Sequence, residues 1–320
     1  MNNQFDYIVI GVGSMGSSTC YHLAKSGATV LGIEQFELAH EKGAHSGQSR
    51  IVRKAYFEHP DYIPLLERAY QNWQEIEKVS GKKMYHETGI FYAGPIGHII
   101  IESIRSAAAQ YQIPLLDGRN GDQLEILPLF DLPEGYEWIY EPEAGFVETE
   151  RAILSFVEEA QKLGTVFHQQ EKVLGWELIE DGVEVMTSNG NYTCKKIIVT
   201  AGPWSAKLMP TINDELKITR QTLIWIQPDE ANSFKTPRFP CWFVVDKDKP
   251  GAYYGFPIAE INDTKNPIGF KFAYHYPGTE TDPDDVDRNI TEVDKEPLLK
   301  FIDRYIPKAK GQVLDIKTCL

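Results

Sequence analysis

Cysteine and histidine are both scarce in this sequence. The four cysteines, Cys20, Cys194, Cys241 and Cys319, are scattered through 320 residues and never approach a C-x-x-C spacing. This distribution favours reduced thiols of a cytoplasmic protein over a disulfide framework. The eight histidines include no H-E-x-x-H or other paired-ligand spacing, so the sequence gives little support to a metal site.

Positive charge and long apolar runs are also in short supply. Lys and Arg number 32 against 46 Asp and Glu, which gives a formal net charge of −14. Nucleic acids and anionic membranes bind basic surfaces, so this balance argues against both as partners. No apolar run approaches the ~20 residues that a membrane helix needs. The N-terminus has neither the basic nor the apolar region of a secretory signal. We therefore expect a cytoplasmic protein.

What is present is the composition of a globular protein. Hydrophobic residues make up 42% of the chain and aromatic residues 12%, which is enough for a sizeable core. A chain of 320 residues is long enough for two domains, or for one large α/β domain with a second one inserted.

The stretch 6–34, DYIVIGVGSMGSSTCYHLAKSGATVLGIE, has the order of parts that a dinucleotide-binding βαβ unit requires. The glycines would permit a tight turn (Gly11), close approach of the backbone to a pyrophosphate (Gly13) and close helix–strand packing (Gly16). The helix N-terminus would offer free N–H groups to phosphates. Glu34 can accept hydrogen bonds from ribose hydroxyls, and its charge disfavours the 2′-phosphate of NADP. The alternative is a glycine-rich turn that only packs, and the motif does not distinguish FAD from NAD.

A second pattern favours FAD. Three short strands precede the apolar run Ile197-Ile198-Val199, which leads into Thr200-Ala201-Gly202-Pro203-Trp204. This order is typical of the second half of two-dinucleotide-type flavoproteins, in which an Ala-Gly pair lets the backbone approach FAD. An unrelated strand and turn remain the alternative.

Two groups of polar residues are candidates for a substrate site. Arg50 and Arg53 in SRIVRKAY would share a face if this segment is helical, and paired guanidinium groups make a good carboxylate clamp. A solvated basic turn is the equally weighted alternative. From residue 218 onward, aromatic antiparallel strands place Lys271 and His275 on one strand face, with Tyr254 in a neighbouring run. From the residues alone, a plain solvent-facing pair is the favoured interpretation of Lys271 and His275.

Several motifs in order resemble the monomeric sarcosine oxidase and N-methyl-L-tryptophan oxidase family: FDYIVIGVGSMG, HSGQSRIVRKAY, IIVTAGPWSAKL, YYGFP, GFKFAYH and a late KTC. The resemblance implies an α/β fold with a Rossmann-type FAD-binding domain and an inserted antiparallel-sheet substrate domain. We assign 1–83, 146–217 and 308–320 to the first domain, and 84–145 and 218–307 to the second. Cys319 is expected in a central strand of the FAD-binding domain.

The family's reaction is then the expected one. FAD accepts electrons from the C–N bond of a secondary amino acid, chiefly an N-methyl one, and passes them to O2. The products are hydrogen peroxide, formaldehyde and the primary amino acid. The protein is expected to be a monomer whose partners are this small molecule and O2.

The resemblance also implies roles for individual residues. Gly11, Gly13, Gly16 and Glu34 would hold the ADP half of FAD. Arg53 would bind the substrate carboxylate, and Arg50 would lie over the flavin beside the reacting amine. Tyr254 and His275 would line the substrate pocket, whose width depends on loops around Phe243. Lys271 would activate oxygen, and Cys319 would form a thioether to the flavin. The other residues predicted to bind FAD are Ser14, Met15, Gln35, Ser49, Val173, Ala201, Gly202 and Trp204.

Two departures from the family pattern produce further expectations. His45-Ser46 stands where the family often has a His-His pair. Family members also continue past the flavin cysteine, so the resemblance predicts a truncated member that binds FAD weakly, without the thioether and without activity. The alternatives are an inactive fragment and a related FAD-dependent oxidase or dehydrogenase of D-amino acids, glycine or cyclic imino acids.

Overall fold

The computed structural model describes residues 4–261, 265–275 and 278–320. The strands of these ranges, in chain order, are β1 Gln4–Ile10, β2 Val30–Ile33, β3 Ser49–Val52, β4 Tyr85–Glu87, β5 Ile90–Pro95, β6 Leu116–Asp117, β7 Tyr136–Glu141, β8 Gly145–Glu148, β9 Val166–His168, β10 Val173–Ile179, β11 Gly182–Thr187, β12 Asn191–Val199, β13 Thr219–Pro228, β14 Cys241–Val245, β15 Ala252–Gly255, β16 Phe270–His275, β17 Thr279–Glu280 and β18 Gly311–Cys319.

The helices are α1 Ser14–Lys25, α2 Ile63–Ser80, α3 Ile99–Tyr111, α4 Thr149–Lys162, α5 Ser205–Leu208 and α6 Glu292–Tyr305. Gly81 ends α2 in the left-handed conformation (φ 69°), the C-terminal role that its position predicts. The N-cap position of α4 is occupied by Glu148, although threonine is a better capping residue. The hydroxyl of Thr149 donates to the Glu150 carboxylate. None of the helices within the described ranges has both the length and the apolar content to cross a membrane.

A six-stranded sheet contains the predicted βαβ unit. Its strand order is β10-β11-β12-β1-β2-β9, with β1 parallel to both β12 and β2. Ile8, Ile10, Leu31 and Ile33 are buried in its core, as their continuous apolar runs require in a sheet covered on both faces. Helices α1 and α4 pack on one face through Cys20, Ala24 and Phe156, among others.

The second sheet has nine strands and is rich in aromatic residues. Its order is β17-β13-β16-β15-β14-β5-β7-β6, with β18 paired to β13. One face is covered by α6, where Phe301 stacks on Trp242 and Tyr253. On the other face, α3 packs its isoleucines into a separate core that contains Tyr92 and Phe243. The two faces of this sheet therefore belong to different hydrophobic cores.

The placement of β18 corrects one prediction. The strand pairs antiparallel with β13 in the nine-stranded sheet, so Cys319 does not lie in a central strand of the dinucleotide-binding sheet. The physical reason is visible in its residues. Gln312, Asp315 and Lys317 interrupt the apolar positions, whereas a central parallel strand needs an unbroken apolar run. The expected place of Cys319 in a central strand of that domain is therefore wrong, whereas the assignment of 308–320 to the FAD-binding domain stays a prediction.

A small sheet, β3-β8-β4, carries the predicted arginine pair. Residues 49–52 form a strand, so Arg50 and Arg53 do not share a helix face. The segment 84–93 is also divided between two sheets rather than forming one strand. The break lies at Gly89, whose φ of 72° and contact with the Tyr140 side chain leave no room for a Cβ. The stretch 117–145, which is rich in glycine and proline, nevertheless contains β7.

Candidate active site

A cavity of about 740 Å³ opens where β1, β2 and β12 end. These are the carboxyl ends of three parallel strands, which is where open α/β sheets bind ligands. Most of the residues predicted to bind FAD line this cavity: Gly11, Gly13, Ser14, Met15, Glu34, Gln35, Arg50, Val173, Ala201, Gly202 and Trp204. Gly16, Ser49 and Cys319 are not among the lining residues.

The glycines fit the geometry of a phosphate-binding turn. Gly11 has a φ of 92°, and a Cβ there would lie 2.6 Å from the carbonyl oxygen of Thr200. A Cβ at Gly16 would collide with the carbonyl oxygen of Gly11, so this glycine acts in packing. Gly13 immediately precedes α1, whose first N–H groups are free of helical partners. The turn therefore brings bare backbone up to the cavity.

Glu34 is held as a carboxylate at the end of β2. Its Oε2 accepts from the Val12 N–H at 2.9 Å, and its Oε1 accepts from the Phe36 N–H at 3.0 Å. The His40 ring nitrogen Nε2 lies 3.5 Å from Oε1. Burial acts to raise the pKa of Glu34, but the hydrogen bonds from His40, Val12 and Phe36 outweigh it, so the pKa is lowered. An ionised acceptor at this place suits a ribose.

His40 and His45 form a buried pair on the loop that follows β2, and both line the cavity. His45 Nε2 lies 2.8 Å from the His40 carbonyl oxygen, and the rings meet edge to face at 5.0 Å. Burial first, and then the neighbouring His40, lowers the pKa of His45 to about 4. Neither was predicted as a site residue, because an irregular loop has no periodicity that reveals which side chains turn inward.

Trp204 connects this cavity to the nine-stranded sheet. Its indole N–H donates to Asp284 Oδ1 at 2.6 Å, and its ring packs edge-on against Phe36 at 5.3 Å. Lys207, which also lines the cavity, donates to Asp282 at 2.7 Å and to Asp284 at 2.5 Å. The loop that carries these two carboxylates follows β17, so it bridges the cavity from the other sheet.

Arg50 joins the cavity to the C-terminal strand. Its Nη1 donates to the Ser49 carbonyl at 2.8 Å, and its Nη2 donates to the Ala44 carbonyl at 2.6 Å. The same Nη2 lies 3.3 Å from Cys319 Sγ. The buried Cys319 thiol is therefore beside a guanidinium that also faces the cavity.

Several side chains share one face of the nine-stranded sheet, which is here called the aromatic face. Tyr92, Phe243, Tyr254 and Ala273 lie opposite one another across four strands. Lys271 and His275 share the side of Ala273, because they are two residues away along β16. The His275 ring lies 5.7 Å from that of Phe243 and 6.0 Å from that of Tyr254.

Lys271 is the buried cation of this face, with 2% of its surface exposed. Its Nζ donates to three oxygens: the Gly47 carbonyl, the Ser49 carbonyl at 2.8 Å and the Ser49 hydroxyl at 3.1 Å. Burial, and then Arg50, lowers its pKa well below the usual value. The three acceptors match the three N–H groups of an ammonium. This inward placement overturns the solvent-facing interpretation of Lys271.

Arg53 lies at the edge of the aromatic face and does not pair with Arg50 as a clamp. Its Nη2 donates to both oxygens of Glu58, at 2.9 and 3.0 Å. The guanidinium carbon lies 4.5 Å from the ring centre of Tyr56 and 4.7 Å from that of Phe57. The spacing of three residues in an extended segment, rather than a helix, separates the two arginines.

The pKa shifts on this face follow from desolvation by the surrounding protein. The His275 side chain is exposed, as the solvent-facing interpretation predicts, yet desolvation, and then Arg53, lowers its pKa, so the neutral imidazole is favoured. Burial raises the pKa of Tyr254, which keeps its hydroxyl protonated. Within the described residues, no cluster of His, Cys, Asp or Glu side chains could hold a metal ion.

The chain matches the family model described as "FAD dependent oxidoreductase" over residues 6–320. Monomeric sarcosine oxidase from Bacillus sp. (strain B-0618) is 33% identical over 325 aligned positions, which cover 100% of this chain and 81% of that protein. N-methyl-L-tryptophan oxidase from Yersinia pestis (strain Pestoides F) is 33% identical over 254 positions, which cover 79% of this chain and 67% of that protein.

Solved structures share the fold. NikD, described as an unusual amino acid oxidase, superimposes with a TM-score of 0.78 at 20% identity over 99% of this chain and 81% of its own. Glycine oxidase from Geobacillus kaustophilus gives a TM-score of 0.75 at 14% identity over 99% of this chain and 82% of its own. The chain thus belongs to the FAD dependent oxidoreductase family, and within it is similar to monomeric sarcosine oxidases and N-methyl-L-tryptophan oxidases.

Proposed function

We propose that the protein is an FAD-dependent oxidase of secondary amino acids, chiefly N-methyl ones such as sarcosine or N-methyl-L-tryptophan, that uses O2 and releases hydrogen peroxide, rather than the inactive fragment that the resemblance also predicts. The observation that carries the proposal is the buried Lys271 on the aromatic face. Its Nζ donates to the carbonyl of Ser49, and the next residue, Arg50, lines the cavity. A buried cation, a guanidinium and a cavity suited to a dinucleotide meet in one place.

The residues around the cavity fit FAD. The bare turn at Gly11 and Gly13 would receive the pyrophosphate, and Glu34 would accept from the adenosine ribose. Gln35, Val173, Ala201, Gly202 and Trp204 would form the remaining walls of the binding site. Bound there, FAD supplies the two-electron acceptor for the C–N bond and the reductant for O2. Cys319, beside Arg50, is the thiol that would hold it through a thioether.

Arg53 would bind the substrate carboxylate. Its guanidinium is already engaged by a carboxylate, that of Glu58, with both oxygens in reach. Planar guanidinium groups bind both oxygens of a carboxylate, most strongly when two of their nitrogens donate, and here only Nη2 does so. The incoming carboxylate would replace Glu58, and Tyr254, His275 and Phe243 would enclose the amine and the side chain. Formaldehyde and the primary amino acid would follow from hydrolysis of the oxidised N-methyl group.

Lys271 would act on oxygen. Its ammonium is fixed by three protein oxygens, so it needs no reorganisation when negative charge develops on O2 nearby. In a site with little water, such a fixed charge acts more strongly than it does in solution. Arg50 would add a second positive charge above the reacting centre. We further propose that the protein acts as a monomer on this small molecule.

The test is anaerobic mixing of the FAD-loaded protein with sarcosine and, separately, with N-methyl-L-tryptophan. The expected result is bleaching of the flavin by at least one of them, followed by recovery of colour and formation of peroxide when O2 is admitted. Bleaching by glycine, D-alanine or L-proline without any response to N-methyl amino acids would overturn the proposed substrate class.

A further inference from the structure

Arg53 and Tyr92 leave a donor and an acceptor unused inside the protein. Arg53 Nε and the Tyr92 hydroxyl are both buried, and neither has a hydrogen-bond partner among the residues that the structure describes. Buried polar groups almost always have partners, so each unpaired one calls for an explanation. Since one group is a donor and the other can accept, they indicate a second state of the protein in which the two groups hydrogen-bond to each other.

A short run of aromatic contacts links the two residues. Arg53 lies against the Phe57 ring, the Phe57 ring is 5.5 Å from that of Phe243, and the Phe243 ring is 6.1 Å from that of Tyr92. Burial acts to lower the pKa of Arg53, but Tyr92, Glu58 and Tyr56 outweigh it, so that pKa is raised. Tyr92 is fully buried, whereas the Glu58 side chain is 38% exposed. Arg53 therefore has an exposed carboxylate partner and a buried phenol neighbour.

The backbone that follows Arg53 is fixed independently of Glu58. The fully buried Glu141 carboxylate accepts from the Lys54 N–H at 2.6 Å and from the Ala55 N–H at 3.3 Å. Burial raises the pKa of Glu141, although these bonds oppose the rise. Since this anchor does not involve the guanidinium, Arg53 can exchange one carboxylate for another while its backbone stays in place.

We infer that Tyr92 is a positioning residue for Arg53, an inference that rests on the proposed carboxylate-binding role of Arg53. When a ligand carboxylate replaces Glu58, the Arg53 Nε–H donates to the Tyr92 hydroxyl oxygen. This bond fixes the plane of the guanidinium, leaving its two Nη groups for the ligand. Fork-like contacts to a carboxylate depend on that plane, so the hydroxyl contributes to the ligand-bound state and not to the free one.

The test compares Tyr92→Phe with the unchanged protein, using propionate as an unreactive carboxylate and calorimetry as the readout. We expect propionate to bind about tenfold more weakly to the variant, the size of effect expected for one hydrogen bond to a charged group. The melting temperature of the ligand-free variant should not fall, because the deleted hydroxyl has no partner there. If Tyr92 had only a structural role, the variant would melt at a lower temperature and bind propionate as tightly as the unchanged protein.

Tyr253→Phe is the matched control. Tyr253 neighbours Tyr254 on β15 and faces the opposite core, and its hydroxyl accepts from Lys249 at 3.3 Å and donates to Pro297 at 3.4 Å. This variant should melt at a lower temperature and bind propionate normally. Equal propionate affinity of Tyr92→Phe and the unchanged protein would overturn the inference, as would a loss of free-state stability like that of the control.

A further variant separates this inference from the proposed function. Glu58→Gln removes the competing charge, so it should tighten propionate binding. If propionate binds neither the unchanged protein nor this variant, Arg53 does not receive carboxylates and the inference is overturned. If propionate binding depends on Tyr92 but N-methyl amino acids never bleach the flavin, the oxidase proposal fails and the role of Tyr92 stands.

Discussion

At the scale of single residues, the strongest constraint is the burial of charged and titratable groups beside the cavity. Lys271 and His45 respond to burial in the same direction, since the pKa of each is lowered. Their surroundings differ, however. Lys271 donates to three oxygens, which supports its charged form, whereas His45 has a single hydrogen-bond contact within the described residues, to the His40 carbonyl.

Lys271→Met should separate the two halves of the reaction. Reduction of the flavin by an N-methyl amino acid should change by less than about threefold, while reoxidation by O2 should slow by at least a hundredfold, since each ~1.4 kcal/mol of lost stabilisation is a factor of ten. Because the ammonium is the active form, reoxidation in the unchanged protein should also decline as the pH rises through the lowered pKa of Lys271. Stopped-flow absorbance measures both half-reactions.

Lys317→Met is the control, because Lys317 lies on β18, which β13 separates from the strand of Lys271, is partly exposed and pairs with Glu41. Its reoxidation should match that of the unchanged protein. A fall of less than about tenfold in Lys271→Met would assign the oxygen reaction to another residue.

His45 should make stability depend on pH. Its pKa is about 4 in the folded protein against an ordinary 6.5, so between these values the unfolded chain binds more protons than the folded one. The contribution of His45 is therefore complete above pH 6.5 and is lost as the pH falls towards 4, on the order of 3 kcal/mol in all. In His45→Gln this part of the loss should be absent.

Urea unfolding of the FAD-free protein at several pH values measures the effect, with His59→Gln as the control because its ring is exposed. Parallel pH profiles for His45→Gln and the unchanged protein would show that His45 does not carry the charge change.

At the scale of elements, local sequence predicts what local interactions decide. The βαβ unit follows from adjacent features, namely a buried apolar run, glycines where a Cβ would collide and an acid at the end of β2, so the fold class and the cavity could both be predicted. The partner of β18 could not, because strand pairing depends on residues such as Thr222 and Ile224 that lie far away in the chain. The roles of Glu141 and Tyr92 could not be predicted either, because both residues lie far along the chain from Arg53 and come near it only in the folded protein.

The loop that carries Asp282 and Asp284 should help to retain FAD. Asp284→Asn removes one charge of the Lys207 pair and weakens the acceptor of the Trp204 indole. Because the pair is exposed and such pairs contribute at most ~1 kcal/mol, FAD should dissociate up to about fivefold faster, with less dependence on salt.

Quenching of flavin fluorescence measures the dissociation rate in a Cys319→Ala background, where no thioether can form. The control is Glu280→Gln, which breaks the exposed pair with Lys217 on the same side of the sheet. Equal rates in both variants would mean that the loop does not act through Asp284.

At the scale of the whole molecule, an acidic protein has to bind an anionic cofactor. With a net charge of −14, the long-range field opposes FAD, so the attraction must be local. The N-terminus of α1, Arg50 and Lys172 supply it around the cavity, whereas Lys207 is already paired with Asp282 and Asp284. The composition argues against polyanionic partners, but it does not reveal where such positive groups gather.

Binding of FAD should therefore stabilise the molecule measurably. At a free FAD concentration one hundred times its Kd, the free energy of unfolding should rise by about 2.7 kcal/mol. In Glu34→Ala the rise in melting temperature at the same FAD concentration should be much smaller, because the ribose acceptor is lost. Glu37→Ala, an exposed change on the following loop, is the control. An undiminished rise in Glu34→Ala would remove Glu34 from the binding site.

The contact between Glu58 and Arg53 has a consequence for selectivity. Glu58 is only five residues away along the chain, so it competes at an effective concentration far above that of most dissolved anions. A ligand that offers nothing beyond a carboxylate has to overcome this competition alone. An amino acid can also contact Tyr254 and His275, so it can displace Glu58 at concentrations at which acetate or lactate would leave the ion pair closed. The tethered carboxylate thus sets an occupancy threshold that ligands with a single point of attachment, such as propionate, reach only at much higher concentrations than amino acids do.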